Sequence, residues 1–140
     1  MEIPIYIFYA LLSAIFAALV AIFGKIGLEG IDSTLATTIR AFIMFMFLLL
    51  VSAFQGKLKG GITSRQFVFI VLSGIAGALS WLFYFLALKT GSVKAVVAID
   101  RTSVVFAIAF AWLLLGEEVT LRAFIGALLI VIGAILVSLK

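Results

Sequence analysis

Asp100, Arg101 and Arg40 are charged residues placed where charge does nothing for solubility. Asp100 and Arg101 are adjacent within residues 93–115, a stretch that is otherwise nearly all apolar, and Arg40 lies several residues into another, 33–54. A carboxylate and a guanidinium about 10 Å along a helix from its start lie well inside hydrocarbon depth. Each costs several kcal/mol there, so such groups normally face a protein interior or a water-filled path. The chemistry they allow is that of charge: a proton or a cation held by Asp100, an anionic group held by Arg40 or Arg101. Each also has a plainer reading. Asp100 can be one half of a structural ion pair with Arg101, Arg40 or Lys25, of the same or a partner subunit. Arg40 can snorkel to the interface if its helix begins nearer Ala41, although 41–54 is short for a span. Neighbouring helix positions point about 100° apart, so Asp100 and Arg101 need not pair with each other.

Two further stripes accompany these charges. Ser103, Ala107 and Ala111 follow Asp100 on one small, partly polar helix face. In residues 67–88, Gly77, Ser80, Trp81 and Tyr84 share a face, with Phe85 beside it. Rings away from helix ends can line an amphipathic pocket or a cage whose faces attract cations. Ordinary aromatic packing serves Trp81 equally well, whereas the Tyr84 hydroxyl needs a partner.

The chain contains no histidine and no cysteine, which removes thiolate chemistry, disulfides and the usual zinc and haem ligands. No metal motif, nucleotide loop or Ser/His/Asp set is present. No cofactor is expected, and an enzyme is not expected either. The formal charge of +4 comes from Lys and Arg lying mostly at span ends, suited to lipid headgroups and unlike a nucleic-acid patch.

The elements that must position these residues follow from composition. Of 140 residues 66% are hydrophobic and 11% charged, with mean hydropathy +1.43. Soluble domains carry about a quarter charged residues, so only lipid can solvate this chain. Five apolar runs, about 3–23, 33–54, 67–88, 93–115 and 121–139, each approach the ~20 residues of a spanning helix and lack the alternation of barrel strands. The expected fold is all-α, a single domain over 1–140 forming a membrane bundle of five helices. The first run follows only Met1 and Glu2, with neither a basic leader nor a cleavage site, and reads as a retained helix.

The breaks are short and punctuated: Gly24, Gly27 and Gly30; Gly56, Gly60 and Gly61; Thr90-Gly91-Ser92; and Gly116-Glu117-Glu118 before Thr120, a candidate N-cap. Glu117 and Glu118 oppose the dipole of the helix they follow yet suit the N-terminus of the next, and a simple exposed turn accounts better for Glu118 than for Glu117. Small residues at Ser73, Gly74, Gly77, Ala78, Gly126, Ala127, Gly133 and Ala134 point to helix packing or dimerisation, not chemistry.

Five spans put the termini on opposite faces. Lys57, Lys59, Arg65 and Arg122 fall on the N-terminal side, and Lys25, Lys89, Lys94 and Lys140 on the other. Orientation is set by an excess of Lys and Arg on one side, and here there is none. Either one orientation prevails on a weak bias, or the chain inserts both ways and pairs as an antiparallel homodimer. The second arrangement rebuilds the inverted repeat of secondary transporters.

The run Leu115-Gly116-Glu117-Glu118-Val119-Thr120, followed by Gly126-Ala127-Leu128-Leu129-Ile130 and Gly133, resembles the end of an EamA-type domain of the drug/metabolite transporter superfamily. Tyr84 with Ala87-Leu88, Lys25 closing the first span and Arg40 in the second fall where that domain carries similar residues. Most relatives hold two such domains in tandem. This chain is similar to the small bacterial and archaeal members with one, which also show a stretch like Ile99-Asp100-Arg101-Thr102-Ser103. The resemblance implies export or exchange of small metabolites or drugs by alternating access, through a cavity lined by the first four helices and supported by the fifth. Many tandem members have a proline in the fourth helix near Ser103 or Val104. This chain has none, so no proline breaks that helix. Nor does the first span carry the intramembrane Glu of small multidrug-resistance proteins, so proton coupling would fall to Asp100.

The expectation is a multi-pass secondary transporter in the cell membrane of a bacterium or archaeon. It would work as an antiparallel homodimer, in lipid, on a small polar or amphipathic molecule. Asp100, Arg40, Arg101, Tyr84, Trp81, Ser80, Ser103 and Lys25 are the candidate substrate or proton site, and Gly74, Gly77, Glu117, Gly126 and Gly133 the packing positions. A lipid-linked-substrate flippase or accessory subunit, or a structural membrane protein that moves nothing, remain the alternatives.

Overall fold

The computed structural model describes residues 4–139; Met1, Glu2, Ile3 and Lys140, and with them one of the eight lysines and arginines weighed for orientation, lie outside the described residues. Six α-helices follow in order: α1 (Ile5–Gly27), α2 (Ser33–Phe54), α3 (Ser64–Thr90), α4 (Val93–Asp100), α5 (Ser103–Phe110) and α6 (Leu121–Ser138). A 3₁₀ turn, Lys57–Lys59, lies between α2 and α3, and a π-helical turn, Ala111–Leu115, continues α5. No strand occurs among the described residues. Five segments are long and apolar enough to cross a membrane, the fourth being Val93–Leu115 as a whole.

The surface is as apolar as a soluble protein's core. Phe54, Leu114, Leu115 and Leu121 are among many large side chains left exposed, while Ala21, Leu28, Phe85, Leu88, Ala127 and Ala134 make up the buried apolar set. Such a surface is stable only where lipid replaces water.

The chain forms two compact units, one running to Lys25 and resuming at Thr90, the other covering Ile26–Lys89. In the second, Asp32 caps α2 by accepting the Thr34 and Leu35 N–H groups at 2.8 and 3.1 Å. These bonds hold its carboxyl below the ordinary 3.8. The start of α3 is a reciprocal capping box: Gln66 N–H donates to Thr63 Oγ1 and Thr63 N–H to Gln66 Oε1. That box places the helix start at Ser64, ahead of the apolar run that begins at 67. At its far end the Lys89 ammonium donates to the Ile31 carbonyl at 2.9 Å, fastening the close of α3 to the turn before α2.

In the first unit α4 packs chiefly on α6, where Ala127 and Ala134 are buried a helical repeat apart. Thr120 caps α6 as its position suggests, accepting Ala123 N–H at 3.2 Å. Gly24 does not end α1, because the helix continues to Gly27; the chain turns at Gly30, whose φ of +76° suits glycine. Gly74, Gly77, Gly126 and Gly133 each have room for a Cβ with nothing within 4 Å.

Candidate functional site

The fourth span keeps helical dihedrals through Arg101 and Thr102 but changes its hydrogen-bond pattern there. A regular α-helix would pair Thr102 N–H with the Ala98 carbonyl and Val104 N–H with the Asp100 carbonyl. Instead Thr102 N–H donates to Ile99 O at 2.9 Å, Val104 N–H to Arg101 O at 3.2 Å and Val105 N–H to Thr102 O at 2.9 Å. The chain thus tightens into i→i−3 bonds between α4 and α5, and the Ala98 and Asp100 carbonyls are passed over. Thr102 Oγ1 adds a second donor to Ile99 O at 2.7 Å, which holds that carbonyl away from the regular ladder. No proline is needed. Asp100 ends α4, Ser103 begins α5, and Asp100, Arg101 and Ser103 are all exposed. The Lys25 ammonium donates to the Gly91 carbonyl at 2.9 Å, tying the end of α1 to the turn before α4.

Toward its far end the same span widens. Glu117 N–H reaches back to Ala111 O at 3.3 Å, and Gly116 turns the chain at φ +69°. Ala107 and Ala111, from the small-residue stripe, there line an open groove with Glu117, Glu118 and Ala123. The stripe and Glu117 thus meet in one place.

The other cluster belongs to the Ile26–Lys89 unit. Arg40, in the second turn of α2, places its guanidinium carbon 3.6 Å from the Trp81 ring centroid and 5.6 Å from that of Phe85. Trp81 meets Tyr84 edge-on at 5.4 Å and Phe85 at 6.1 Å. The spacing i, i+3, i+4 puts these rings on one side of α3. Phe85 is buried, whereas Arg40, Trp81 and Tyr84 are half-buried. The Trp81 face thus holds a cation of the protein's own. The Tyr84 oxygen also lies within electrostatic reach of Arg40. Ser80 is exposed just before Trp81.

Residues 4–139 match the model of the EamA-like transporter family. The chain belongs to that family. This EamA-like protein is also similar, at 40% identity over 133 residues covering 94% of each chain, to a Sinorhizobium protein described as an uncharacterized transporter in the cobO 3' region. No solved structure matches it. An EamA-like transporter is a multi-pass membrane protein, and the five apolar segments agree.

Within this EamA-like chain the sequence candidates are shared between the two units. Arg40, Trp81 and Tyr84 are in contact; Asp100, Arg101 and Ser103 gather where α4 gives way to α5; Lys25 is bound to a loop carbonyl. Thr102 is the residue whose part the sequence did not reveal. A hydroxyl in the helical interior beside two charges was the available signal.

Proposed function

We propose that this membrane transporter is a secondary exporter or exchanger of small polar or amphipathic molecules, working by alternating access as an antiparallel homodimer in the cell membrane. The observation that supports the reading is the switch to i→i−3 bonds in the fourth span, with Asp100 and Arg101 exposed beside it. On the insertion scale a charged side chain at the helix centre costs about 2.5–3.5 kcal/mol, and unpaired carbonyls add to it. Irregular backbone at that depth persists where protein covers it or water reaches it. An irregular helical turn beside a substrate path meets both needs and bends more readily than a regular one. The odd span count and the balanced Lys and Arg distribution favour two inverted copies as the complete assembly.

In this mechanism Asp100 takes up and releases a proton as the site faces each side in turn. Arg40, Arg101, Tyr84, Trp81, Ser80 and Ser103 supply the substrate's polar contacts, and Lys25 holds the turn from which α4 starts. Reconstitution into liposomes with a pH-sensitive dye and a metabolite panel tests this. The wild type should move a panel member together with protons, and Asp100→Asn should lose the proton-linked part. If the wild type moves nothing, the transport mechanism is wrong; if Asp100→Asn keeps both flux and pH dependence, the proton role is wrong.

A further inference from the structure

We infer that the Arg40–Trp81–Tyr84 cluster is a binding site for an organic oxyanion, a carboxylate or its like carried on a flat apolar body. The inference rests on the transporter reading and names its substrate class.

The first reason is what already occupies the ring. A cation is drawn to the face of an indole, and at 3.6 Å the Arg40 guanidinium fills that place. A cationic ligand approaching Trp81 meets a fixed positive charge instead of an open face. The cluster is built to repel cations.

The second reason is what Arg40 lacks. About 10 Å into its helix the guanidinium is at hydrocarbon depth. The ring contact eases the burial of that charge. Among the described residues no carboxylate acts on the guanidinium; its electrostatic neighbour is the neutral Tyr84 side chain. Stacking uses the flat face and leaves the N–H edge, a rigid fork that matches a planar oxyanion bidentately. The side chain is half-buried, so that edge is reachable.

The third reason is the surroundings. Tyr84 stands edge-on to Trp81 at 5.4 Å, and buried Phe85 closes the cluster behind them. An anion gripped by the Arg40 edge would rest its apolar body beside these rings. Charge and shape would then be read together.

The sequence carries two tryptophans, Trp81 and Trp112. Trp112 lies exposed on the π-helical turn of the other unit. Trp112→Phe therefore leaves Trp81 as the single fluorescent reporter. In nanodiscs, that protein is titrated with benzoate, benzyl alcohol and benzyltrimethylammonium, three probes with the same ring and different charge. Benzoate should change Trp81 emission saturably and the other two should not. Arg40→Lys should weaken the response about tenfold, because an ammonium cannot form the bidentate fork, and Arg40→Gln should abolish it. Arg40→Lys keeps the test intact if Arg40→Gln does not fold. Saturation by the cation, no saturation by benzoate, or a benzoate response that survives Arg40→Gln overturns the site. Counterflow of benzenesulfonate and benzyltrimethylammonium across liposomes separates the two layers. If the cation exchanges while anions neither bind nor cross, the substrate class fails and transport stands. Anion binding without any counterflow leaves the site and removes the transport reading.

Discussion

The Arg40 guanidinium stacks 3.6 Å from the centroid of Trp81, joining a charge in α2 to a ring in α3 within one unit of the fold. Asp100 and Arg101, in the other unit, are both exposed where the fourth span turns to i→i−3 bonds. One membrane-embedded charge is thus stabilised inside its own unit.

If the stack stabilises the fold, removing the ring should matter only while the cation remains. Trp81→Leu should lower unfolding stability in mixed micelles by about 1–2 kcal/mol, the range of a partly desolvated cation–π contact. In an Arg40→Met background the same substitution should cost clearly less. Equal losses in both backgrounds would mean that Trp81 contributes only packing.

Asp32 makes stability depend on acid. Its carboxyl is held below 3.8 by N–H donation from Leu35 and Thr34, so the folded chain takes up the proton less readily than the unfolded one. Its contribution is present above that ordinary value and fades as pH falls through the lowered one. Asp32→Asn keeps an acceptor at the cap but cannot titrate. Thermal melts in detergent from neutral to acidic pH should show the wild-type advantage over Asp32→Asn shrinking as pH drops. An advantage constant across the series would refute this account of the cap.

Orientation can be read with one thiol, since the chain has no cysteine of its own. Lys57→Cys, in the 3₁₀ turn between α2 and α3, should be labelled by an impermeant maleimide from both sides of the membrane, each in part. Labelling from one side only would end the proposal of inverted copies.

The spans were plain in the sequence because lipid imposes a simple demand, about twenty apolar residues between turn signals. The Thr120 cap was legible too, as a hydroxyl just ahead of an apolar run. The change of bonding at Asp100–Thr102 was hidden. Composition marks Val93–Leu115 as one span, with no proline to interrupt it. The irregularity arises instead from i→i−3 bonds and the Thr102 hydroxyl, a balance of single hydrogen bonds that no periodicity records. The Ser64 start of α3 escaped for a related reason, because a polar first turn carries no hydropathy signal. Arg40 and Trp81 were each conspicuous, but their contact depends on how two helices pack, which sequence spacing alone does not specify.

If the proposed transport mechanism holds, water reaches Asp100 and Arg101 in the fourth span. Ser103→Cys, at the start of α5 beside Asp100 and Arg101, measures this directly through its reaction rate with a water-soluble, membrane-impermeant thiol reagent. Phe106→Cys, replacing an exposed apolar residue on the same helix, serves as the dry reference. The account predicts prompt modification at position 103 and almost none at 106. A thiol at 103 as inert as the one at 106, with reagent offered on both sides, would contradict it.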